Sequence, residues 1–293
     1  MFQDIKKNKI KSGLIISIYI ILITLIIYYI CTYFELGPMS IVFATIFSCF
    51  SAFISYYNCD KIVLSMNKAR PATEEEYSRI NNILDSLMIS SGLKSRPALY
   101  VMEDSQPNAF ATGRNPEHSV ICVTTSLLEK LDYYELEGVL AHELSHIANY
   151  DIRLSAIVTV FVGVIVVLSD MFTSRYVRPK SKSSDNDSNI GFLISILGFL
   201  FLILSPLFAQ LVQLAVSRKR EFLADATAIK YTRNPDGLIS ALIKISDDPD
   251  ELNFASKATA HMFFASPFRG KESDLLSTHP SIEARIKALQ NIK

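Results

Sequence analysis

His142-Glu143-Leu144-Ser145-His146 is the stretch on which the fold and chemistry of this 293-residue chain turn. Two imidazoles four residues apart lie one turn apart on the same face of an α-helix, close enough to share one metal ion. Glu143 is rotated by roughly 100° from His142. Its carboxylate can therefore stand near a metal-coordinated water without becoming a ligand. This is the H-E-x-x-H arrangement of zinc-dependent peptidases, in which the Glu is a general base. For a chain of this composition, random placement gives about 0.004 matches. The competing reading is two solvated histidines on a polar helix face. The flanks weigh against it, because Leu136, Val139 and Leu140 recur at helical spacing and Ala141 precedes the first His. Asp132 with Glu135 forms a capping-box pattern that predicts a helix start near Tyr133.

Outward from the motif, the composition points to a membrane. Formal net charge is zero and 49% of residues are hydrophobic, with a mean hydropathy of +0.26. No basic excess calls for a nucleic-acid partner. The four cysteines, Cys31, Cys49, Cys59 and Cys122, include no C-x-x-C pair and read as small buried hydrophobes. Ser12 to Phe34 and Leu36 to Cys59 are uncharged runs long enough to span a bilayer, with a tight turn at Gly37-Pro38 between them. Leu154 to Ser169 and Ser188 to Ser217 form a second apolar pair, the latter interrupted by Pro206. The first of this pair is short, so a buried or re-entrant hairpin is the alternative there. Lys6, Lys7, Lys9 and Lys11 precede the first segment, and Lys61, Lys68 and Arg70 follow the second. The positive-inside rule then places the N-terminus and the H-E-x-x-H helix on the cytoplasmic side. The loop from Met171 to Asn189 carries Arg175, Arg178, Lys180 and Lys182, more basic than an external loop should be.

A catalytic zinc site needs three protein ligands and one open position. Just past the fourth apolar run, Ser217 to Asp225 offers Glu221 as a carboxylate ligand. Asp225 follows four residues later on the same helix face, where it can accept a hydrogen bond from a zinc-bound imidazole. On the residues alone, His279 reads as a helix-start histidine ahead of an amphipathic helix that carries Ile282, Arg285, Ile286 and Leu289. His118 and His261 receive no role.

Taken in order, these features resemble the HtpX-type membrane zinc peptidases and, more distantly, the membrane peptidases that process prenylated proteins. The resemblance spans nearly the whole chain, including Pro107 to Gly113, Ala141 to His146, Ser217 to Asp225, and His279-Pro280 with Arg285. It implies Glu221 as the third ligand of one zinc ion per chain. It also implies His279 and Arg285 against substrate or the oxyanion, and Asn108, Ala109 and Phe110 as part of the cleft wall. By the same resemblance, the partners are damaged or misassembled membrane proteins, other unfolded polypeptides and the lipid bilayer, under stress conditions, in a prokaryotic plasma membrane. Nothing in the sequence sets an oligomeric state.

The predicted fold is predominantly α with a small β-sheet, a zincin-like peptidase domain fused to about four transmembrane helices. Its parts are an N-terminal membrane hairpin (1–59), a first cytoplasmic part (60–153), a second hairpin with a polar loop at 171–189 (154–216) and a second cytoplasmic part (217–293). A capping box at Thr73 and Glu76 opens a helix from Glu74 to Ser90, and Pro97 to Glu103 and Ser119 to Thr124 read as strands. The expected chemistry is metal-assisted peptide hydrolysis with Glu143 as the base and no acyl-enzyme. The alternatives are a prenyl-protein peptidase of the same chemistry and a non-enzymatic adaptor stabilised by zinc. The second is disfavoured because structural zinc sites usually close with four ligands, often Cys.

Overall fold

A computed structural model describes residues 2–33, 35–163, 217–252, 258–267 and 280–292. Helix α1 (Phe2–Tyr33) and helix α2 (Ser40–Tyr57) form an antiparallel hairpin turned at Gly37, whose φ of 77° suits glycine. Within them, Ile5–Tyr29 and Ser40–Tyr57 are long and apolar enough to cross a membrane. At 1.5 Å per residue the 18-residue span covers about 27 Å, close to a hydrocarbon core. Leu14, Ile21, Leu25, Phe47, Phe50 and Phe53 point outward and are exposed. An apolar face of that extent suits lipid better than water. Cys49 lies on this exposed face, which corrects its reading as buried, whereas Cys31, Cys59 and Cys122 are buried.

Helix α3 (Cys59–Met66) leads to a four-stranded mixed sheet of order β1-β2-β4-β3. Its strands are β1 (Arg70–Pro71), β2 (Ala98–Met102), β3 (Ala109–Asn115) and β4 (His118–Thr124). β2 runs parallel to β4, and the other two pairings are antiparallel. The parallel crossover contains β3, which returns against β4 and stands at the sheet edge. β1 and β3 go beyond the strands that the sequence predicts. Small residues and Gly113 in Ala109–Asn115 mask the β-branched pattern that marks β4.

Helix α4 (Glu74–Ser91) starts at the complete capping box of Thr73 and Glu76 and ends at Gly92, with φ of 70°. After the short helix α5 (Thr125–Lys130), helix α6 (Tyr133–Ala148) carries the H-E-x-x-H motif. Asp132 and Glu135 form its capping box. Glu135 also accepts hydrogen bonds from Ser240 and Lys244, tying the start of α6 to the later helix α9 (Pro235–Asp247). Gly138 permits their close packing, because a Cβ there would lie 2.9 Å from the Leu238 Cα.

Residues 151–163 are helical and form α7, which is buried at Leu154, Ile157, Val158 and Phe161 against α1 and α2. Tyr19 of α1 stacks on Phe161 at 4.0 Å. The start of the third apolar run is thus enclosed by protein. The remainder of the expected second hairpin, including the loop at 171–189, lies outside the described residues. Helix α8 (Arg218–Thr232) then packs on α6, and helix α10 (Ile282–Gln290) closes the described fold. The main core lies between the sheet and helices α4, α6, α8 and α9, around Ile83, Leu127, Val139, Leu140 and Leu242.

Candidate metal centre

The motif helix runs through the middle of the peptidase core, and that position orders its side chains. His142 and Glu143 are buried at 1% and 2% exposure. Their Cβ positions are fixed by a helix whose other faces hold Leu140, Leu144 and Ile147 in the core. The Nε2 atoms of His142 and His146 are 3.1 Å apart. Glu221, from the first turn of α8, places one carboxylate oxygen 3.6 Å from His142 Nε2 and the other 3.7 Å from His146 Nε2.

The donor set suits zinc. Bonds of about 2.0–2.1 Å at tetrahedral angles set neighbouring ligand atoms about 3.4 Å apart, and the observed separations of 3.1, 3.6 and 3.7 Å straddle that value. All three ligand atoms lie within 4.8 Å of one another. Both imidazoles also have Nδ1 engaged away from the centre, by Asp225 Oδ1 at 2.9 Å and by Asp151 Oδ2 at 3.1 Å. A carboxylate accepts from Nδ1–H, which leaves each Nε2 lone pair aimed at the common point. Among the described residues the donor set is two imidazoles and one carboxylate, with no Cys, which matches an open catalytic site rather than a closed structural one.

Electrostatics follow from burial. Burial pushes the Glu143 carboxyl above the usual carboxylate range, and Glu221 adds to this, while His142, His146 and Arg285 pull against it. Burial alone would lower His146. The hydrogen bond to Asp151 and the charges of Glu221, Asp151 and Glu143 reverse that and push it up to about 9. Burial would also raise Asp225, but the adjoining Arg285 and His142 hold it at about 2. A cavity of ≈ 30 Å³ beside His142, Glu143, His146 and Glu221 has room for a water molecule.

Four residues that the resemblance set against substrate or in the cleft wall do not line the cavity. Arg285 does not contact the cavity. It is 1% exposed, and its guanidinium donates to both oxygens of Asp225, at 2.7 and 2.9 Å, and to the Phe264 carbonyl at 2.8 Å. It stands behind His142, with its donors consumed by the partner of that ligand. Asn108 is fully buried, and its side-chain amide joins the start of β3 to residue 265. It donates to the Ala265 carbonyl at 3.0 Å and accepts from the Ala109 and Ala265 N–H groups. Ala109 and Phe110 are both 1% exposed, and Phe110 packs edge-on against Phe263. The cavity is lined instead by Ala111, the next residue of the same edge strand. His279 lies outside the described residues.

Four other residues escaped the sequence reading. Asp151 supports His146, and Asn8 and Arg220 support Asp151. His261, in the 3₁₀ turn Ala260–Met262, is buried and lines the cavity. Asp151 could have been noticed as the first acid after the motif helix. No periodicity in the sequence marks His261 or pairs it with a residue more than a hundred positions earlier. His118 is exposed and bonded to Asn115 in the β3–β4 turn, away from the centre.

Comparison with known proteins agrees with this geometry. Residues 74–293 match the family model described as Peptidase family M48, whose members are zinc-dependent metallopeptidases. A "Protease HtpX homolog" of Dictyoglomus thermophilum is 42% identical over 289 residues, covering 99% of this chain and 94% of that protein. One from Listeria monocytogenes serotype 4a is 39% identical over 307 residues and covers both chains fully, at 100% and 100%. The crystal structure of S. mikatae Ste24p shares the fold, with a TM-score of 0.50 and 21% identity over 99% of this chain and 67% of that one. With the motif helix, the carboxylate helix and the N-terminal apolar hairpin all inside the matched lengths, the chain belongs to peptidase family M48 and, within it, to the HtpX-type membrane metallopeptidases.

Proposed function

We propose that this enzyme hydrolyses peptide bonds of damaged or misassembled membrane proteins at the cytoplasmic face of a plasma membrane that it crosses four times. His142, His146 and Glu221 would hold one zinc ion, which would supply Lewis-acid chemistry at the site. Glu143 takes the proton of the attacking water on its carboxylate and delivers it to the leaving amine. Burial raises the proton affinity of Glu143, the direction that favours accepting a proton. Asp225 and Asp151 hold the two imidazoles in the Nδ1–H tautomer, and Arg285 locks Asp225. The outer edge of β3 is bridged at Phe110 by Phe263, so substrate would add as a further strand beyond Ala111, a common mode of peptide capture.

The observation that carries this reading is the convergence of three ligand atoms within 4.8 Å beside a buried glutamate. The cytoplasmic assignment is supported by the lysines that flank the α1–α2 hairpin on both sides. Four crossings are supported by the apolar run that α7 begins and by the return of the chain to the zinc at Glu221. In liposomes, the purified enzyme should cut membrane proteins in loops or tails near the bilayer surface. Cleavage confined to fully soluble proteins would count against the substrate class, and retained proteolysis in Glu143→Gln would count against the mechanism.

A further inference from the structure

The first membrane helix reaches the metal centre. Asn8 of α1 is 4% exposed, and its amide nitrogen donates to Asp151 Oδ1 at 2.8 Å and to the Asn149 carbonyl at 3.1 Å. Both acceptors are 141 or more residues away in the chain. Because both are oxygens without a proton to give, they require the NH₂ end of the amide there. Asp151 is itself 6% exposed. Its other oxygen receives His146 Nδ1 at 3.1 Å, and Arg220 shares Oδ1 at 3.1 Å. Asn8 heads a buried stripe of α1 that continues through Ser12, Ile15 and Tyr19. Ser12 turns its hydroxyl back to the Asn8 carbonyl and takes no part in the link to Asp151.

We propose that Asn8 is a positioning residue for the zinc site: through Asp151 it fixes the tautomer and direction of the His146 imidazole, so the first membrane helix is a working part of the metal centre. Carboxylate partners of zinc-bound histidines raise ligand basicity and hold the ring. Their direction depends on what holds the carboxylate in turn. Here Arg220, from the helix of the third ligand, and Asn8, from the membrane hairpin, hold the same oxygen. Docking of α1 is therefore coupled to the geometry of a ligand. The inference rests on His146 being a zinc ligand.

The test uses the full-length protein in detergent, with zinc affinity read by competition against a chromophoric chelator and geometry read from the visible spectrum of the cobalt form. Asp151→Ala should weaken zinc binding by about 10–100-fold, and Asn8→Leu, of similar volume but without a donor, by roughly 3–10-fold. Asn8→Leu should shift the cobalt spectrum, and it should cost nothing further when Asp151 is already alanine. Ser12→Ala, one turn along the same stripe, should leave both readouts unchanged. If Asn8→Leu fails to fold, Asn8→Gln keeps the donor but displaces it, and should fall between wild type and Asp151→Ala. Wild-type affinity and spectrum in a folded Asn8 variant would overturn the proposal, as would an equal loss in Ser12→Ala or additive losses with Asp151→Ala. His146→Ala in the same assay separates the two readings. If it binds zinc as wild type does, the ligand assignment is wrong. If it loses zinc while the Asn8 variants do not, only the role of Asn8 is wrong.

Discussion

His142 and His146 are one helical turn apart, yet they lean on different halves of the molecule. Behind His142 lies the sealed interior of the peptidase domain. Asp225 and Arg285 form a buried ion pair there, capped by Phe264, whose ring stands edge-on to His142 at 5.0 Å and beneath the Arg285 guanidinium at 4.5 Å. Behind His146 lies a polar joint where α1, the start of α7 and α8 meet at Asp151. One ligand is set by charge locked in the buried core, the other by hydrogen bonds at the seam with the membrane hairpin. A buried charge left alone is very costly, whereas a group at a seam can be re-solvated. The two sides should therefore fail differently.

The largest expected effect lies at the point both sides serve. Glu143→Gln should retain zinc, by elemental analysis, and lose about 10²–10⁴-fold in peptide hydrolysis. Loss of zinc in that variant would merge base and ligand, and blur the comparison. Next comes the sealed side. Arg285→Met leaves Asp225 buried without its ion-pair partner, with only the hydrogen bond to His142, and should destabilise the fold by about 3–5 kcal/mol in thermal or denaturant melts. On the seam side, Arg220→Met removes a partly exposed partner of Asp151 and should cost about 1 kcal/mol. Equal losses in the two arginine variants would erase the distinction between core and seam.

The smallest effect gives a baseline away from both histidines. Arg70 and the Thr73 cap hold the Glu76 carboxyl at about 2, below its usual 4.5. A depressed carboxylate stabilises the fold fully above about pH 4.5, and that contribution fades as pH falls through about 2. Because Arg70 is 37% exposed, solvent screening keeps this contribution below about 1 kcal/mol. Glu76→Gln should melt slightly below wild type at pH 7, and the difference should close near pH 2. A gap that widens on acidification would reverse the sign of the argument.

The same contrast explains what the sequence made legible. The motif helix, its capping box, the Glu221–Asp225 spacing and the first two apolar helices depend on residues within a few turns of one another, and local pattern records them. The start of α4 at Thr73 and the strand at Ser119 to Thr124 were readable for the same reason. Asn8 and Asp151 meet across 143 residues, and His261 reaches the cavity from a turn with no period. Such pairings depend on the tertiary path and leave no local trace. Arg285 and Asn108 show the complementary limit. Resemblance singled out both positions for substrate or cleft, but no local pattern shows that the Arg285 guanidinium bonds Asp225, or the Asn108 amide residue 265.

Both sides of the comparison presuppose one zinc ion held by His142, His146 and Glu221, and X-ray absorption at the zinc edge, on the full-length protein and on Glu221→Ala, is the decisive check. The expected wild-type spectrum shows two imidazoles and oxygen ligands at about 2.0–2.2 Å, with the carboxylate contribution gone and affinity reduced in the variant. A sulfur shell near about 2.3 Å, or a Glu221→Ala protein that binds zinc with the wild-type spectrum and affinity, would contradict it.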